Sequence, residues 1–126
     1  MKHKFKRPLP YPHQVRALRL LIRNNGGALF MPMRSGKTRV ALEFAQVVHK
    51  KYGVERVLII CPLSVIGVWK SEHRKWLDGN KPEFVITNYE RLYDRERYET
   101  DDGYGYQMND SQALLDFKPQ LIILDE

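Results

Sequence analysis

Residues 30–45 read FMPMRSGKTRVALEFA. An apolar stretch runs into Ser-Gly-Lys-Thr, after which apolar residues recur at Val40, Ala41, Phe44 and Ala45 with helical spacing. A strand, a tight glycine turn and a helix, in that order, are the setting in which a loop cradles phosphate. Gly36 lets the backbone approach phosphate oxygens closely, and the N–H groups that open the helix point at them. Lys37 is then expected to reach the terminal phosphates and the Thr38 hydroxyl to hold Mg²⁺. Two residues depart from the usual pattern. Met31 stands where such loops begin with glycine, and Arg34, ahead of Ser35, is either a solvated loop charge or a cation near phosphate or a bound strand. The alternative for the whole stretch is a turn that merely caps a helix.

Working outward, Pro12 opens a helix with Val15, Leu18, Leu21 and Ile22 on one face and Arg16, Arg19 and Arg23 off it. NNGG at 24–27 stops it, and ALFM at 28–31 reads as a short strand. The helix after Gly36 continues through Val48 and breaks near Gly53. RVLIIC at 56–61 is a continuous apolar strand, suited to a central place in a parallel sheet. Pro62 ends it. Ser64 is expected to cap a helix carrying Val65, Trp69 and Trp76 on one side and closing at Asp78. FVIT at 84–87 is a further strand, and Thr87 and Glu90 have capping-box spacing for a short helix. Residues 94–110 are polar, with DDGYGY at 101–106 expected as a loop. A short helix around 113–116 is ended by Pro119, and LIIL at 121–124 is a last buried strand. Strands alternating with helices imply an α/β fold with a parallel sheet wrapped on both faces.

The last strand runs into Asp125 and Glu126. Beside a phosphate loop, Asp125 is expected to bind Mg²⁺ through water and Glu126 to polarise an attacking water. The plain alternative is that polar residues simply follow a strand.

The length, 126 residues, suits one domain, and 43% hydrophobic with 29% charged residues is an ordinary globular composition. The runs VLII and LIIL are far too short to span a bilayer, and MKHKFKRPLPYPH lacks the apolar core of a secretion signal. No membrane partner is expected. A single cysteine, Cys61, allows no internal disulfide and suits a reducing compartment, hence a cytoplasmic location. It reads as a small buried apolar residue. The four histidines show no zinc-ligand spacing. The net charge of +6 favours a polyanionic partner. The basic arm at residues 1–10 is a nucleic-acid arm, a nuclear address or a solvated tail.

Four further features fall in order around the loop: Gln14 in PYPHQVRALRLL, then CPLSVIGVWKSEHRKW, VITNYERL and LDE. The series resembles the first RecA-like lobe of superfamily 2 helicases and translocases, most closely the SWI/SNF-type branch. Pro62, Ser64, Trp69, Glu72, Trp76, Thr87, Tyr89 and Glu90 match that branch. The resemblance implies a three-layer RecA-like P-loop domain over residues 11–126, truncated after the acidic-box strand. It implies ATP and Mg²⁺ as cofactors and DNA, usually duplex, as partner. By position, Gln14 would read the adenine edge with Tyr11 or Pro12 packed on the base, and Arg34, Ser35, Gly36, Lys37 and Thr38 would hold the phosphates. Ser64 and Thr87 would contact the phosphates of a nucleic-acid strand, cap helices, or do both. Trp69 and Trp76 read as core. In this family ATP lies between two lobes, and the second supplies arginines. A chain ending at the acidic box is expected to bind ATP weakly, to hydrolyse it negligibly, and to expose a sheet edge through which copies self-associate. The alternative is a non-catalytic nucleotide- or nucleic-acid-binding remnant or regulatory module. A small P-loop phosphotransferase would leave Gln14 and TNYE unexplained.

Overall fold

Val57, Leu58, Ile59, Ile60 and Cys61 are all buried, as a strand covered on both faces requires. They belong to β1 (Arg56–Cys61), the middle strand of a parallel sheet ordered β2-β1-β5 in the computed structural model. The structure describes residues 3–31, 36–91, 96–100, 103–107 and 110–125. β2 (Glu83–Asn88) pairs with β1 from Arg56 opposite Glu83 to Cys61 opposite Asn88, and β5 (Leu121–Leu124) pairs with Val57 to Ile60 on the other side. Among the described residues no helix is long and apolar enough to cross a membrane.

α1 (Pro12–Asn24) starts with proline, whose missing N–H costs nothing at a helix's first turn, and ends with Asn25 left-handed. α2 (Lys37–Tyr52) runs between Gly36 and Gly53, both left-handed. It is buried along two sides. Leu42 and Ala45 pack with Val57, Ile59 and Cys61 of β1 and with Trp69 and Trp76 of α3 (Ile66–Trp76). Val40, Phe44 and Val48 pack with Leu18 and Leu21 of α1. α2 is therefore the element to which both clusters are anchored.

The chain departs from its sequence pattern in several places. Residues 28–31 form no strand: Leu29 and Met31 pack against the α1–α2 cluster while Phe30 is 96% exposed. A strand needs a hydrogen-bonding neighbour, and this segment has none among the described residues. Ser64 caps nothing with its side chain. It sits inside a 3-10 turn, Leu63–Val65, and Val65 precedes α3. Thr87 is a β2 residue opposite Ile60, and among the described residues a 3-10 turn, Tyr89–Arg91, follows it. Within the polar stretch 94–110, β3 (Glu96–Thr100) and β4 (Gly103–Gln107) pair antiparallel, β4 overlapping the residues expected as a loop, and α4 (Asp110–Phe117) comes next.

Residues 3–10 lie against the fold, with the side chains of Lys4, Lys6 and Arg7 exposed. Phe5 packs beside the α1–α2 cluster, His3 pairs with Glu43, and Arg39 donates to the carbonyls of Lys6 (2.8 Å) and Pro8 (2.7 Å).

Candidate functional site

Parallel strands carry their following loops to a common edge, and in such sheets ligands settle there. The described residues leave a cavity of about 1250 Å³ that runs alongside β5, from Leu121 to Leu124, and reaches this edge. Tyr11 and Gln14 at the start of α1, Gly36, Lys37 and Thr38 at the start of α2, and Asp125 just past β5 all line it. Lys37 and Asp125, 88 positions apart in the chain, thus face one space.

The loop end is shaped by Gly36. Its φ is +82°, where a side chain is strained, and its carbonyl accepts the Val40 N–H at 3.2 Å as the first helical bond. No cap side chain occupies the N-terminus of α2. Its leading N–H groups and the Lys37 charge make that end electropositive. Gln14 lies directly against the glycine. Its Oε1 accepts the Tyr11 N–H at 2.7 Å and its Nε2 donates to the Gly36 carbonyl at 3.5 Å, so the amide ties the start of α1 to the loop. Tyr11 is 69% exposed, its ring stacked on His13.

The acidic end is held by three contacts. Asp125 N–H donates to the Ile60 carbonyl at 2.9 Å, Tyr89 Oη–H donates to the Asp125 carbonyl at 3.0 Å, and Trp69 Nε1–H donates to Asp125 Oδ2 at 3.0 Å. Cys61 lies beneath. Burial first, and the Asp125 charge second, push its thiol pKa up, and it donates weakly to the Thr87 carbonyl at 3.6 Å. Neither makes it a nucleophile.

Arg34, Ser35 and Glu126 lie outside the described residues. Ser64 is exposed, whereas Thr87 is 3% exposed, so the two do not present one continuous hydroxyl surface. No cluster of three or more His, Cys, Asp or Glu side chains that could hold a metal occurs among the described residues. Of the oxygen donors lining the cavity, the Thr38 hydroxyl and the Asp125 carboxylate fit Mg²⁺, which keeps waters and phosphate oxygens rather than filling an all-protein cage; Glu72 accepts from Trp76.

The SNF2-related domain family model matches residues 13–126. The chain belongs to the SNF2-related domain family. It is thereby a member of the SWI/SNF-type branch of helicase-like ATPases, whose members generally use ATP and Mg²⁺ and act on nucleic acids. No individual curated protein matches it.

In this SNF2-related domain, three roles go beyond the sequence reading: Trp69 and Arg39 line the cavity, and Tyr89 holds the Asp125 backbone. Trp69 was legible as core and is core, but a buried indole N–H needs an acceptor, and that rule points to the carboxylate. Tyr89 was legible only as a motif letter. Arg39, one residue past Thr38, is buried at 5% exposure, stacks 3.7 Å above the Trp76 ring, and holds the strand of chain that leads to Tyr11. An arginine on the inner face of α2 was the available signal.

Proposed function

We propose that these residues form the ATP-binding lobe of a DNA-dependent ATPase of the helicase or translocase type. The reading rests on one observation: Gln14, Lys37, Thr38 and Asp125 line the same cavity, at the N-terminus of a helix and the C-terminal edge of a parallel sheet. Lys37 and the leading N–H groups of α2 meet the phosphates. Thr38 and Asp125 hold Mg²⁺, which neutralises phosphate charge when bound. Gln14 and Tyr11 meet the adenine. The amide that fixes Gly36 is thereby also the one that senses the base. Ser64 on the exposed turn and the net charge of +6 favour a nucleic-acid strand, duplex DNA in this proposal, and Thr87 joins that contact only if its buried hydroxyl is uncovered.

Turnover in this proposal needs arginines from a second lobe closing over the cavity. We also propose that copies associate through the outer edge of β5.

Calorimetric titration of ATP into the chain and into Lys37→Ala tests the nucleotide reading. Lys37→Ala is expected to weaken binding at least about tenfold, the scale of one lost charge-assisted contact. Equal affinities would remove it.

A further inference from the structure

β5 is four residues long and has one strand neighbour, β1, among the described residues. Asp125 lies beyond its last residue, next to an exposed Leu124. A carboxylate at the end of such a strand has no inherent direction. Yet its backbone and one of its oxygens are fixed by groups from three other parts of the fold: β1, the turn after β2, and α3.

We propose that Trp69 and Tyr89 are positioning residues that direct the Asp125 carboxylate toward a divalent cation in the cavity. Trp69 is 3% exposed and wedged in the core cluster with Leu42 and Cys61, so its indole N–H is a fixed donor to Oδ2 at 3.0 Å. Tyr89 Oη–H holds the Asp125 carbonyl at 3.0 Å, which sets where the side chain departs from the backbone. Among the described residues nothing else hydrogen-bonds the carboxylate, which leaves Oδ1 for a cation or a water bound to it. The donors are neutral. An indole and a phenol orient the carboxylate without cancelling the charge a cation needs, as a lysine in either place would. Groups that orient a metal ligand in this way typically change metal affinity about 10–100-fold when removed.

The inference rests on the ATP–Mg²⁺ reading of the cavity, and its test separates the two. Mn²⁺, observed by electron paramagnetic resonance, is titrated into the chain with ATP, and ATP binding is measured separately in chelator. Trp69→Phe keeps most of the ring and deletes the donor. It is expected to weaken Mn²⁺ binding about tenfold or more while metal-free ATP affinity stays within about twofold of the unaltered chain. Tyr89→Phe is expected to act in the same direction, and carries the comparison alone should Trp69→Phe fail to fold. Unchanged Mn²⁺ affinity, or an equal fall with and without metal, would overturn the positioning role and leave the ATP reading intact. If the unaltered chain binds ATP with no dependence on Mn²⁺, the metal site and this inference fall together. A direct readout needs no metal: the Trp69 indole N–H resonance should move on Asp125→Asn while that of Trp76, whose partner is Glu72, stays put. A stationary Trp69 resonance would refute the contact itself.

Discussion

A Cβ placed on Gly36 would stand 1.8 Å from Gln14 Nε2 and 3.1 Å from its Cδ. The glycine of the phosphate loop and the glutamine at the start of α1 therefore exclude a side chain between them. Gly36→Ala must both strain a backbone at φ +82° and push the Gln14 amide away. The backbone term is about 1–2 kcal/mol. The displaced amide adds the loss of its bonds to Tyr11 and Gly36, about 1 kcal/mol each at most. Urea unfolding of Gly36→Ala, Gln14→Ala and the double variant is expected to be non-additive, with the alanine costing less once Gln14 is gone. Strict additivity would mean that the two side chains do not meet.

Arg39→Ala is expected to destabilise the chain by about 3 kcal/mol or more, the scale of breaking a buried ionic cluster. The guanidinium holds two carbonyls of residues 3–10, lies 3.6 Å from Glu43 Oε1 without a hydrogen bond there, and covers the Trp76 ring. Its loss leaves Glu43 buried with, among the described residues, His3 as its partner. Arg39→Lys should recover little, because a point ammonium cannot span two carbonyls and stack on an indole. The midpoint in urea decides it, and a loss below about 1 kcal/mol would show the strap to be incidental.

Much of this geometry was readable from the residues, for reasons that also explain what was not. β1 announced itself because five apolar residues in a row fit only a doubly covered strand. α2 was bounded by Gly36 and Gly53, the two residues free to turn left-handed at its ends. Residues 28–31 have an equally apolar pattern, but being a strand depends on a partner, and pairing is not written locally. Thr87 and Glu90 have capping-box spacing, yet Thr87 is taken by β2, whose pairing with Ile60 outcompetes a cap. The aspartate of the site was legible at the strand end. What holds it was not, since the Trp69–Asp125 bond spans 56 positions.

Stability should fall on mild acidification because of His73. Burial first, then the Lys81 and Arg74 charges, hold its pKa below the ordinary value near 6.5, and its ring packs edge-on to Phe84 at 4.5 Å with Nε2 buried and unbonded. Above pH 6.5 the imidazole is neutral in both folded and unfolded chains and contributes no pH dependence. As pH falls through 6.5 the unfolded chain takes up a proton that the folded one resists, so stability declines until the folded pKa is passed. His73→Phe should flatten this part of the profile in urea titrations between about pH 7 and 5. A variant with the same slope as the unaltered chain would assign the effect elsewhere.

Among the described residues β5 is an outer strand of the sheet, and nothing pairs with its outer edge. Ile122 and Leu124 on that strand are 53% and 65% exposed. An unpaired row of N–H and C=O groups beside apolar side chains is a template for another strand, and natural edges are commonly blunted by lysine. Here no charge interrupts LIIL. Sedimentation velocity is expected to show a mass that rises with concentration, and Leu124→Lys or Ile122→Lys should return the chain to a monomer. Both lysines replace side chains that are already largely in water, so the folded monomer should lose little stability, within about 0.5 kcal/mol. A monomer mass independent of concentration in the unaltered chain would show that the edge is closed to a second copy.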